Sequence, residues 1–121
     1  FFTFWGLTVL RRPELVPVKK NLIEKMFGVM LPTGAKKLGL SRMNMGGAGT
    51  AMMRAIMKSK NVASLEELIE SAIEYGVKIV ACQMSMDVMG IKPEELIDGV
   101  EIGGVATMLG AAETSDTNLF I

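Results

Sequence analysis

The sequence predicts an α/β domain built around a parallel sheet. Three observations carry this. A helix with its own start signal, Ser64 to Tyr75, runs directly into an apolar stretch, Val77 to Cys82. A helix-to-strand step of that kind implies parallel strands joined by helices. The stretch VKIVACQMSMDVMG (77–90) then passes from β-branched Val77, Ile79 and Val80 through Cys82 into a segment able to begin a helix. With 121 residues, half of them hydrophobic, the chain can bury one core but not two. A single domain over residues 1–121 is therefore expected.

Taken in order, Phe1 to Trp5 reads as a buried strand, apolar and aromatic throughout. The chain opens inside this strand and not on Met, so a preceding strand and helix are expected to be missing. LTVLRRPELVPV reads as a loop, because Pro13 and Pro17 disfavour a continuous helix. Asn21 to Met30 carries Leu22, Ile23, Met26, Phe27 and Met30 as an apolar helical stripe, ended by Pro32 and Gly34. Ala35 to Leu40 is a loop or short turn. Ser41 to Gly49 is too rich in glycine for a helix, whereas Thr50 to Lys58 suits one.

Ser64 to Tyr75 is the firmest helix. Ser64 and Glu67 form the S-x-x-E capping pattern, and Leu65, Leu68, Ile69, Ala72 and Ile73 recur at helical spacing. Gly76 suits the position after the helix end. Met84 to Met89 is expected to form a short helix. Another is expected from Pro93 to Gly99, with Glu94 and Glu95 in its first turn. Val100 to Ile102 suits a brief strand. Gly104 to Glu113 suits a helix with Val105, Met108, Leu109 and Ala112 inward. Asn118 to Ile121 reads as a last apolar strand.

Composition removes several functions. Lys+Arg and Asp+Glu both number 13, and aromatics are few, so nothing marks a nucleic-acid surface. Histidine is absent, which excludes Ser-His-Asp and Cys-His nucleophile systems and most zinc sites. Mean hydropathy is +0.36, high for a soluble domain, yet no apolar run approaches the ~20 residues needed to span a membrane. No signal peptide is visible. One cysteine cannot close an internal disulfide, which fits a reducing cytoplasm.

That cysteine is the leading chemical candidate. Cys82 stands where a strand gives way to a helix start, the sheet edge at which ligands collect in open α/β folds. Backbone N–H groups at a helix start favour an anion, and a thiolate is one. Cys82 is expected to be a reactive thiol open to solvent or to a docking protein. Ser85 and the N–H groups of Gln83, Met84, Ser85 and Met86 are the expected donors to its sulfur, and Asp87 is expected to point away. The plain alternative is a small buried hydrophobe.

Gly46, Gly47 and Gly49 offer a second candidate, a phosphate-cradling loop. Their spacing matches neither the P-loop nor a dinucleotide-binding pattern placed after a strand, so a tight turn with close backbone packing competes with it. Eleven methionines, eight of them between Met43 and Met89, allow copper(I) capture, a surface for a flexible partner, or core filling.

FFTFWGL, LPTGAKKLGLSRMNMGGAGTAMMRAIMKSKNV and SLEELIESAIEYGVKIVACQMSMDVMGIKPEELIDGVEIGGVATMLGAAE together resemble the DsrE/DsrF-like family, closest to its DsrE2 branch, sometimes described as peroxiredoxin-like. The resemblance covers nearly the whole chain, and the ACQMSMDVMGI and SRMNMGGAGT segments carry it. It implies a flavodoxin-like three-layer sandwich and small homo-oligomers. It also implies cytoplasmic sulfur relay, with the family's strand-end cysteine falling on Cys82 as a persulfide carrier. Rhodanese-like or TusA-like donor and acceptor proteins are the implied partners. Neither a cofactor nor a metal is expected. Gly46 and Gly47 are expected to approach the Cys82 site with Gln83, Met84 and Ser85. A two-cysteine peroxidase would need a second thiol. The competing functions are a binding or scaffold subunit with an inert cysteine, and a nucleotide or small-ligand module on the Gly46–Gly49 loop.

Overall fold

The computed structural model describes residues 1–14, 16–40 and 43–119. In chain order the elements are α1 (Leu22–Met30), α2 (Ala48–Ser59), α3 (Leu65–Glu74), β1 (Ile79–Cys82), α4 (Gln83–Met89), β2 (Val100–Gly103) and α5 (Val105–Glu113). Short 3₁₀ turns at Phe4–Leu10, Ala35–Lys37, Met45–Gly47 and Pro93–Glu95 complete them.

The α/β class with a parallel sheet is as the sequence predicts. β1 pairs with β2 in parallel, Ile79 opposite Val100 and Cys82 opposite Gly103. On the other edge of β1, Phe2 forms an isolated parallel bridge to Ala81. Its N–H donates to the Val80 carbonyl (2.7 Å), and its carbonyl accepts from the Cys82 N–H (2.9 Å). All four residues of β1 are buried, as expected of a strand covered on both faces.

Period-two alternation sorts β1 between two layers. Ile79 and Ala81 join a core with Leu7, Leu10, Ile69, Met86, Ile91 and Leu96. Ala72 and Ile73 of α3 pack against that core, so α3 covers this face. Val80 and Cys82 lie outside this core cluster, although both are buried. On their face a Cβ built on Gly103 would lie 2.9 Å from Val80 Cγ1 and 3.2 Å from Thr107 of α5. Glycine at 103 thus lets α5 close on the sheet. Helix, sheet and helix form three layers, in keeping with a flavodoxin-like arrangement.

Start signals act as expected. Ser64 Oγ accepts from the Glu67 N–H (3.3 Å), and Glu67 Oε2 accepts from the Ser64 N–H (2.6 Å). Gly76 follows α3 at φ 76.

Five expectations are corrected. The expected strand Phe1–Trp5 is reduced to the Phe2 bridge, because the backbone turns at Phe4 (φ 41) into the 3₁₀ helix Phe4–Leu10. The segment Leu7–Leu10, read as loop, is instead among the most buried in the molecule. At three residues per turn Leu7 and Leu10 fall on one face, and both are fully buried.

The expected helix from Pro93 to Gly99 stops after Glu95. Beyond it Leu96 forms an antiparallel bridge with Arg11, and the Ile97 N–H donates to the Leu10 carbonyl (2.9 Å). Glu95 anchors this junction. Its carboxylate meets Arg11 Nη2 (2.9 Å) and Lys20 Nζ (2.6 Å), with all three side chains less than a tenth exposed.

The α5 residues expected inward are not buried, and Leu109 is 60% exposed. The helix meets the sheet near Thr107, at its start, and Met108 and Ala112 are only half-buried. Asn118 and Leu119 form no strand, and the rest of the expected last strand, residues 120–121, lies outside the described residues.

Candidate functional site

Cys82 is the last residue of β1 and the residue preceding α4. Three constraints hold its backbone there. Phe2 binds its N–H on one side, Gly103 of β2 lies opposite on the other, and α4 starts immediately after it. The junction predicted from sequence is therefore the one observed.

The exposure is not. Cys82 is 3% exposed, so the thiol expected to be open is covered. The reason is tertiary. Its side chain points to the sheet face away from the main core, and α5 comes over that face near Gly103. Gln83 and Met84, the next two residues, are exposed, Met84 at 65%.

The surroundings of the sulfur shift it toward the thiolate. The Ser85 hydroxyl draws the Cys82 pKa below the usual thiol value. Burial opposes this, and the backbone N–H groups of Ser85 and Met84 add to the lowering. The sulfur makes no complete N-cap hydrogen bond of its own, so the balance rests on this cluster of nearby donors. Ser85 is itself buried, which keeps its hydroxyl out of competition with water. Asp87 is exposed, as expected, and its Oδ1 accepts from Gln83 Nε2 (3.2 Å).

The remaining candidates fall elsewhere. Gly46 and Gly47 sit in the turn before α2, with φ 71 and 104. A Cβ built on either would meet no atom within 4 Å, Cys82 included. The N–H groups of Gly47 and Gly49 both donate to the Asn44 carbonyl (2.7 and 3.1 Å), so they are spent on the turn and not offered to a phosphate. A Cβ on Gly49 would collide with the Met43 carbonyl at 1.8 Å, which is the close backbone approach that competed with phosphate binding. Of the methionines, Met86 is core filler, while Met26, Met30, Met45, Met52 and Met84 are exposed. No group of three or more His, Cys, Asp or Glu that could hold a metal ion occurs among the described residues. No helix there is long and apolar enough to cross a membrane.

Sequence reasoning missed the Arg11–Glu95–Lys20 cluster. Arg11 is 2% exposed and also donates through Nη1 to the carbonyls of Leu31 (3.3 Å) and Pro32 (3.4 Å). A charged residue buried by partners 20 and 84 positions away leaves no local signal.

Fold and site thus define an α/β domain that holds a single cysteine at a strand-to-helix junction. The chain belongs to the DsrE/DsrF/DrsH-like family, whose model matches residues 1–120. It is 53% identical over its whole length to YrkE of Bacillus subtilis (strain 168), a protein itself described as uncharacterized, of which it covers 76%. It is 42% identical, again over its whole length, to the sulfur carrier protein DsrE2 of Allochromatium vinosum, of which it covers 77%.

Proposed function

We propose that this chain, as one DsrE-like domain, is a sulfur carrier that relays sulfane sulfur on Cys82. The observation that carries the reading is the Ser85 hydroxyl beside Cys82. It lowers the thiol pKa at the one cysteine of the chain, at a sheet edge where such a group can act. The likeness to a protein named as a sulfur carrier supports it.

The chemistry is two exchanges of the same kind. The Cys82 thiolate attacks the outer sulfur of a donor persulfide, R–S–SH. A new S–S bond forms, the donor S–S bond breaks, and its electron pair leaves on R–S⁻. Cys82 then carries Cys–S–SH. An acceptor thiolate attacks that terminal sulfur in turn, giving the acceptor persulfide and restoring Cys82 as thiolate. No net oxidation occurs, and no second cysteine is needed. Ser85 and the Met84 N–H hold negative charge at sulfur, while exposed Gln83 and Met84 form the rim a partner would touch. On this reading donor and acceptor are thiol proteins of rhodanese or TusA type, and the relay works in a reducing cytoplasm on a homo-oligomer.

The burial of Cys82 favours a second reading, a binding subunit with an inert cysteine. One experiment separates the two. Native protein is incubated with polysulfide and weighed by mass spectrometry beside Cys82→Ala. The carrier reading expects a gain of about 32 Da per sulfur on the parent chain and none on the variant. A native thiol that takes up no sulfur and is alkylated only after unfolding would establish the inert subunit instead.

A further inference from the structure

Three parallel strand ends share one edge of the sheet, and each is followed by an exposed apolar residue. Phe2 bridges β1 on one side and β2 pairs with it on the other, so the order across the edge is Phe2, β1, β2. After Phe2 come Phe4 and Trp5, 56% and 61% exposed. After β1 comes Met84, 65% exposed, and after β2 comes Val105, 50% exposed. Neighbouring strands lie about 5 Å apart, so these residues follow one another closely across the edge, and Cys82 ends the middle strand. Phe4 makes its turn at φ 41, a left-handed conformation that bulky residues seldom adopt. The turn leaves both aromatic rings largely in water, so burial does not offset it.

The edge is also uncharged. Residues 1–10, 79–86 and 102–112, which form and follow the three strand ends, contain no Asp, Glu, Lys or Arg, although charged residues make up 21% of the chain. Lys78 and Glu101, which flank these segments, pair with one another (3.0 Å). Asp87, further along α4, accepts a hydrogen bond from Gln83.

We propose that the partner exchanging sulfur with Cys82 is a protein that presents its sulfur on an apolar, uncharged face, and that Trp5 and Val105 anchor that face on either side of the cysteine. This rests on the reading of Cys82 as the relaying thiol. Cys82 is 3% exposed, so exchange needs a partner seated directly against the edge. An apolar face can sit there without stripping water from a charge. Tryptophan suits an anchor of this kind, because it offers a large rigid area at an interface. A small inorganic sulfur anion finds no cation on these segments to hold it. A second copy of the chain on the same residues would shut Cys82 off from its donors.

Peptide disulfides test the proposal. Capped Leu-Cys-Leu, Asp-Cys-Asp and Lys-Cys-Lys are each coupled through cysteine to thionitrobenzoate. The Cys82 thiolate attacks the peptide sulfur, a new S–S bond forms, the old one breaks, and its electron pair leaves on coloured thionitrobenzoate. Each rate is divided by that of the same peptide disulfide with N-acetylcysteine, which removes differences in intrinsic reactivity. The parent chain is expected to favour the Leu peptide over both charged ones by at least about tenfold, at low and high salt alike. Trp5→Ser with Val105→Ser is expected to bring that ratio down to about one, with the circular dichroism spectrum of the parent. No release from any peptide, equal rates, preference for a charged peptide, or a Leu preference that survives the double variant overturns the proposal. So does light scattering that shows an oligomer dissociated by the double variant, with Cys82 reacting faster once it is a monomer; a second copy would then cover the edge. Sulfur uptake from polysulfide without a peptide preference removes this proposal and leaves the carrier reading. A Leu preference without sulfur uptake removes the carrier reading and leaves the docking edge.

Discussion

At Cys82 two forces oppose one another. Burial favours the neutral thiol, and the hydroxyl and backbone donors of α4 favour the anion, with the Ser85 hydroxyl the largest influence. Ser85→Ala removes that influence and leaves burial and the weaker N–H groups. The pH midpoint of Cys82 alkylation is expected to move upward in this variant, toward or beyond the ordinary thiol value; an unmoved midpoint would show that Ser85 does not tune the sulfur. Glu95 presents the mirrored case. Burial pushes its carboxyl up, but Lys20, the Lys92 N–H and Arg11 outweigh it, so its pKa lies below the ordinary value. A carboxyl with a depressed folded pKa contributes stability that is present above its unfolded pKa and is lost as pH falls through the folded one. The parent chain is therefore expected to lose stability on acidification through and below the usual carboxylate range. Glu95→Gln leaves two cations without their counter-charge and is expected to cost about 3–5 kcal/mol at neutral pH, measured by urea unfolding, with a flatter acid limb.

At the scale of elements, the segments with local start and stop signals were the readable ones. The capping pair of Ser64 and Glu67 announced α3, and both of its hydrogen bonds are present. Ser64→Ala is expected to lower stability by about 1 kcal/mol, visible as a shifted denaturation midpoint at unchanged slope. The strand expected over Val77–Cys82, observed as Ile79–Cys82, and the helix after it were readable because β-branched residues give way abruptly to helix formers. The turn Phe4–Leu10 and the halted helix at Pro93–Glu95 were not. Leu10 and Ile97, Arg11 and Leu96, and Arg11 and Glu95 satisfy one another across more than eighty residues. Such pairings override local propensity without leaving a trace in either segment.

At the scale of the molecule, the layers meet where side chains are smallest. Gly103 admits α5 to the sheet face that carries Cys82, with Val80 Cγ1 only 2.9 Å from where a Cβ would stand. Gly103→Val is expected to wedge these layers apart at a cost of about 1–3 kcal/mol in thermal or urea unfolding. By loosening the cover over Cys82 it is also expected to speed alkylation of the native thiol. Faster alkylation without lost stability would mean that the cover lies elsewhere. At this scale the apolar pattern of α1 also changes meaning. The stripe was legible, but the side of the helix that meets the protein is the one carrying Glu24, which pairs with Lys92 and packs on Gly90.

The amino-acid sequence alone determined the α/β class, the parallel step through α3 and β1, the family, and the placing of Cys82 at a strand end. Apart from the family, which nearly the whole chain carries, each of these rests on residues within a few positions of one another, where capping, periodicity and branching act. The burial of Cys82, the Arg11–Glu95–Lys20 cluster, the turn packed on Leu7 and Leu10, and the outward face of α1 were decided only by the tertiary structure. Burial and ion pairing depend on which distant residues arrive beside a given one, and no short stretch of sequence holds that information.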